Sequence, residues 1–167
     1  MSFAVNHLIG FGARRRTSLT ETLVDRTTGT NIGTFTGNGG LAAVFNGTTS
    51  ESYTVSGVHV GTDGYVGKTH GAAKVCSRVV CHGANNLGYS SGSGSVTIEL
   101  YGKNGAAPSS STDGTLLGSI TFTDQTDESA GRQITSSDQT TAYKHWFCRV
   151  TSGANLVFTE LVMYELA

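Results

Sequence analysis

The residues of this chain that could do chemistry are five histidines, three cysteines, twelve carboxylates and a serine, Ser90, in a glycine-flanked motif. "GYSSG", Gly88 to Gly92, fits the G-x-S-x-G spacing of a nucleophile elbow. That turn needs a strand before the serine, a helix after it, and an acid and a histidine later in the chain. Ser90 sits instead in "NNLGYSSGSGS", which is followed by the strand-like "SVTIELYG". In a chain this rich in Gly and Ser the match is expected by chance, and no catalytic activity is assigned to it. His7, His59, His70, His82 and His145 show no H-E-x-x-H spacing and no accompanying C-x-x-C, so no local zinc site is written in the sequence. Cys81 and His82 are adjacent and would point to opposite sides of a strand. Asp113, Asp124, Asp127, Glu128 and Asp138 fall in turn-like stretches, where acids also act as ordinary turn residues.

Charge narrows the partners. Eleven basic residues against 12 acidic ones leave a net charge of −1, which lacks the basic footprint of a nucleic-acid or anionic-membrane binder. Arg14, Arg15 and Arg16 form a short basic run that reads as a solvated arm. No stretch approaches the roughly 18 apolar residues of a membrane-spanning helix. The start, "MSFAVNHLIGFGARRR", places an apolar patch before the arginines, the reverse of a secretory signal. The expectation is a protein kept in the cytosol or released without a signal peptide.

The elements that would carry these residues are strands. One proline, 23 glycines and abundant Thr, Ser and Asn favour β-structure with many turns. Strand-like runs appear at 53–61, 73–81, 95–102, 115–123, 142–150 and 155–165, each bounded by turn residues. In "SVTIELYG", Val96, Ile98 and Leu100 share one face while Thr97, Glu99 and Tyr101 share a wet one. Residues 1–37 lack a long period and read as an N-terminal arm or docking segment, ahead of a domain over 38–167. Cys76 and Cys81, five residues apart on one straight strand, would face opposite ways roughly 16 Å apart at about 3.3 Å per residue. They cannot bridge each other directly. Cys148 could meet either one across a sheet, or all three could be buried free thiols. At an exposed, oxidised surface they could instead link subunits.

Three stretches, in order, resemble the discoidin family, the F5/8 type C domains, which include many carbohydrate-binding modules. "LAAVFNGTTSESY" is similar to the family's segment of Ala, an apolar residue, Asp-Gly, a polar run and an aromatic. "VTIELYGKNG" with "DGTLLGSITF" resembles its strand ending in a Tyr-Gly-Ser-Asn type turn. "AYKHWFCRV" and "LVFTELVMYE" resemble its two closing strands. The resemblance covers about residues 41–166. It implies an antiparallel jelly-roll β-sandwich, a non-enzymatic role, and binding of glycans, lipids or proteins through loops at one end. For a glycan the loop candidates are Tyr65, His70, Asn85, Asn86, Tyr89, Lys103 and Asn104.

Many members hold calcium between the Asp-Gly loop and a glutamate of the last strand. By position that site would use Asn46, Thr48, Glu51 and Glu160, with Asn46 in place of the aspartate. Glu160 has a second reading. Phe158 and Val162 flank it at period two, so an unpaired charge there would be costly. Arg149, on the neighbouring strand, could satisfy it as an Arg–carboxylate fork. A binding domain of this family with no export signal suggests a phage-like virion: an accessory or fibre protein assembled in host cytoplasm, docked to other virion proteins through its arm. It would be a homo-oligomer and bind cell-surface glycan. The alternative is a structural joint or decoration with no ligand.

Overall fold

A computed structural model describes residues 19–90, 94–151 and 155–167. Within them the first strands are β1 (Glu21–Leu23), β2 (Thr30–Gly33) and β3 (Gly37–Asn38), followed by a single helical turn, α1 (Gly40–Ala43). The later strands are β4 (Gly57–Val60), β5 (Tyr65–His82), β6 (Ser95–Lys103), β7 (Thr115–Thr123), β8 (Arg132–Thr135), β9 (Ala142–Val150), β10 (Asn155–Phe158) and β11 (Glu160–Leu166). Every ladder between them is antiparallel. The protein is an all-β antiparallel sandwich, as its alternating strands and turn residues suggest.

Strand β5 belongs to both layers. Its first part, Tyr65–Thr69, lies between β2 and β9, and β9 leads on through β6 to β7. Its last part, Arg78–Cys81, lies between β8 and β11, and β11 pairs with β1. The change of neighbours follows "HGAA". Between the pairs Thr69↔His145 and Lys74↔Tyr143, β5 spends residues 70–73 where β9 spends only Lys144. Small exposed residues at 71–73 let the strand turn a corner. The distance between two thiols shows how far it bends. Cys148 pairs with Val66, 15 residues before Cys81, which along a straight strand would be about 50 Å. Yet the Sγ atoms of Cys81 and Cys148 are 3.8 Å apart. They meet because the two halves of β5 lie in facing layers.

The core between the layers holds Val66, Val79, Ile98, Leu100, Trp146 and Leu161 with many others. Cys76 and Cys81 are both in it, against the expectation of opposite faces. The register explains this: Tyr164 pairs with Arg78 and Glu165 with Cys76, so Ser77 is skipped in a bulge that reverses the facing. All three thiols are free and fully buried, which puts a link to another subunit out of reach.

Other differences from the sequence reading have equally local causes. Residues 19–37, expected within the arm, supply β1, β2 and the first residue of β3 to the sheets; residues 1–18 lie outside the described residues. The run at 53–61 forms a strand only from Gly57, because Ser52 O accepts the N–H groups of Val55 and Ser56 in a turn. The closing run at 155–165 is split at Thr159, whose N–H donates to His82 O at 2.9 Å while its hydroxyl reaches Thr49 O at 3.2 Å. On either side of that break β10 pairs with β4 and β11 with β5, so Leu156 to Leu161 are buried without alternation.

Candidate functional site

Val66, Lys68 and His70 share one face of β5 by the period of two, and all three are buried. A lysine on an inward face needs an outlet for its charge. Lys68 is 3% exposed; its ammonium donates to Thr28 O at 3.0 Å and Asn31 Oδ1 at 2.8 Å and lies 4.6 Å from the centre of the Phe45 ring. Both oxygens are neutral. Burial holds the Lys68 pKa below its ordinary value, opposed by Asp25 and Glu160 nearby. No ion pair reaches Lys68 among the described residues.

Glu160 opens β11 and is 2% exposed. Its Oε2 accepts the N–H of Gly47 at 2.7 Å. Gly47 holds φ at 89°, and a Cβ there would meet the Arg26 guanidinium at 2.6 Å, so only glycine allows that side chain to lie over the loop. Burial pushes the Glu160 pKa up to about 7; the Gly47 N–H, Arg26 and Lys68 oppose the rise, and Glu51 adds to it. The fork expected between Glu160 and Arg149 does not form. Arg149 Nε donates instead to Glu99 Oε2 at 2.6 Å, because Arg149 pairs directly with Glu99 in the β6–β9 ladder.

Between β11, the 46–51 loop and the β1–β2 connection lies a cleft of about 360 Å³. Its polar wall is formed by Asp25, Arg26, Thr49, Lys68 and Glu160, with the Gly47 backbone. Leu23, Val24, Val162 and Met163 contribute an apolar wall. The size falls in the lower part of the range of small-molecule sites, about 300–1,000 Å³, and so does the pattern of a few convergent polar groups beside apolar ones.

Of the four residues expected to hold calcium, Glu160 lines this cleft and Asn46, Thr48 and Glu51 lie in the 46–51 loop beside it, where protein partners already take up several of their polar atoms. Asn46 Oδ1 accepts Thr48 N at 2.7 Å and its amide donates to Glu51 Oε1 at 2.9 Å. Glu160 receives an N–H, and Arg26 lies over the loop. One observation favours a cation, since Glu51 Oε2 is buried with no hydrogen-bond partner. Calcium takes six to eight oxygens, and among the described residues no three acids, histidines or cysteines are grouped to supply it. The residues present do not fit the ion.

The loop candidates are dispersed, and the apolar and aromatic ones are corrected by burial. Tyr89 is fully buried against Phe122 and Phe158, with its hydroxyl on Cys81 O. Tyr65 donates to Pro108 O at 2.8 Å and packs edge-on against Phe147. His70 is 2% exposed, its ring 4.5 Å from that of Trp146, and burial holds its pKa down to about 4. None of the three is presented to a ligand in solution. Lys103 is paired with Asp113. Asn104 clasps β9, accepting Lys144 N at 2.8 Å and donating to Ala142 O at 3.0 Å. Asn85 and Asn86 are exposed, and Asn86 Oδ1 accepts Tyr53 N at 2.8 Å, which ties two loops together. Ser90 is buried, and its N–H, like that of Tyr89, is held by the Asp124 carboxylate at 3.0 Å. Lys68 and Arg26 are the site residues the sequence reading missed. A lysine two residues from Val66 and two from His70 was the available signal.

No family model and no curated protein matches the sequence. Solved structures do match the fold. The family 32 carbohydrate-binding module of C. perfringens NanJ, in complex with galactose, superposes with a TM-score of 0.66 at 13% identity, over 87% of this chain and 100% of that one. The lectin binding domain of Lectinolysin, a His 62 mutant complexed with Lewis b, gives 0.57 at 12% identity, over 86% and 97%. The family 32 module of AlyQ, in complex with 4,5-unsaturated mannuronic acid, gives 0.55 at 13% identity, over 80% and 92%.

Proposed function

We propose that the chain is a non-enzymatic, glycan-binding β-sandwich whose ligand enters the cleft beside Lys68 and Glu160. The observation that carries this reading is the cleft's two unlike walls. A sugar ring has a C–H face that packs on Leu23, Val162 and Met163, and hydroxyls that hydrogen-bond to Thr49, Arg26 and Glu160. The fold's likeness to modules solved with galactose and with a Lewis b glycan supports it. A glycan array read with the labelled protein tests it. Binding of defined glycans that Val162→Asp abolishes is the expected result; an array blank for the wild type would leave the fold as a joint or decoration with no ligand.

The finer reading is that this domain is an oligomeric accessory or fibre protein of a phage-like virion, docked through its N-terminal residues. It rests on the sequence. Mass spectrometry of purified particles and immunogold labelling of the head, neck or tail test it, and absence from the particles overturns it.

A further inference from the structure

The charges in the cleft are not paired where they are buried. Lys68 is 3% exposed, and its ammonium spends two of three donors on Thr28 O and Asn31 Oδ1, both uncharged. An ammonium taken out of water and left with neutral partners is unfavourable. Glu160 faces the same space, yet its Oε2 takes the Gly47 N–H, and no ion pair joins it to Lys68. Asp25 is turned to its own chain, accepting the N–H and hydroxyl of Thr27, each at 2.8 Å. Arg26 adds a second cation at the rim, with its guanidinium over Gly47. The unfilled role is that of an anion with room around it for hydroxyls and a C–H face.

Resting on the glycan reading of this cleft, we infer that its ligand is an acidic sugar whose carboxylate pairs with Lys68 and Arg26 while its ring lies on Val162 and Met163. A carboxylate satisfies the remaining Lys68 donor and can accept two parallel bonds from the Arg26 fork. The ring's apolar face accounts for the wall that a bare anion would leave unused.

The experiment follows the methyl signals of Val162 and Met163 by NMR during titration of the whole chain with matched pairs: galactose and galacturonate, glucose and glucuronate, with acetate as the bare anion. At least one uronate should shift those methyls and bind at least tenfold more tightly than its neutral partner and than acetate. Lys68→Met should weaken that uronate at least tenfold, and Arg26→Gln several-fold, each by clearly more than it weakens the neutral partner. Arg26 is exposed, so its variant keeps the test open should Lys68→Met fail to fold. Equal binding of neutral and acidic sugars would overturn the acidic-sugar inference and leave the glycan reading standing. Acetate binding as tightly as the uronates would overturn the sugar and retain only an anion site. No shift with any sugar would overturn both readings.

Discussion

The outer face of β6 and β9 and the cleft each set a cation close to a carboxylate away from full contact with water, and they resolve the problem differently. On the outer face of β6 and β9, Arg149 and Glu99 form a pair at 2.6 Å, and the Tyr101 hydroxyl donates to the same carboxylate at 2.8 Å. The 104–114 connection seals that face: Pro108 O receives the Tyr65 hydroxyl, and Tyr101 stacks on Phe147 with ring centres 5.4 Å apart. In the cleft, Lys68 and Glu160 are more deeply buried, yet each turns to a neutral partner. The satisfied pair is architecture, and the unsatisfied one leaves something for a ligand to complete.

The comparison breaks most visibly if the sealed pair is cut. Arg149→Met leaves Glu99 without its cation on a face largely closed by a loop, where the two side chains are 22% and 19% exposed, and removing one partner of a largely buried pair is destabilising, at the low end of the range for fully buried ones. The expected loss is about 3 kcal/mol in urea denaturation. A loss below about 1 kcal/mol would show that this face is wet and the pair an ordinary surface one.

Second in size is the pH dependence carried by Glu160. Its folded pKa, about 7, lies above its ordinary value near 4.5, so between those pH values the folded state holds a proton that the unfolded state releases. Its contribution is fully present below the ordinary value and is lost as pH rises through about 7. Stability should fall by no more than roughly 3 kcal/mol over that window. Glu160→Gln, which keeps the shape without the titration, should flatten the curve. A wild-type curve that is already flat between pH 5 and 8 would mean that Glu160 is solvated.

Lys68→Met should do far less to stability than Arg149→Met. It gives up two hydrogen bonds but also removes a buried charge that no carboxylate contacts directly, and the two effects offset to within about 1 kcal/mol. Thermal melts of both variants, side by side, check the ordering. If Lys68→Met were the more damaging, the lysine would be a structural clasp between β5 and the β1–β2 connection.

This contrast also marks how far the sequence could be read. The alternation of Val96, Ile98 and Leu100 was legible because one side of β6 faces the core along its whole length. The other side, expected wet, is covered by a segment whose composition says only "loop". Local composition likewise put Tyr89 in an open loop, whereas its contacts, Phe122 and Phe158, are far away in the chain. Glu160 was recognisable as a charge among apolar neighbours, but its partner depended on register. The ladder sets Arg149 opposite Glu99, and nothing in the local pattern chooses between two glutamates. The strands in 19–37 span two to four residues each, too short for any period to show.

Calcium gives the smallest expected effect and the sharpest test of where the cleft's charge comes from. A bound ion would hold Glu51 and Glu160 together and stabilise the folded chain by mass action. The melting temperature would then rise with added calcium and fall with a chelator. The geometry points the other way, because the Gly47 N–H already occupies Glu160 and Arg26 covers the loop with a fixed positive charge. Neither calcium nor a chelator should move the melt beyond its error. Arg26→Gln then asks whether that fixed cation stands where an ion otherwise would. If calcium stabilises the variant alone, Arg26 is the substitute. If it stabilises the wild type as well, the buried Glu51 Oε2 is a ligand, and the 46–51 loop must rearrange to present its oxygens.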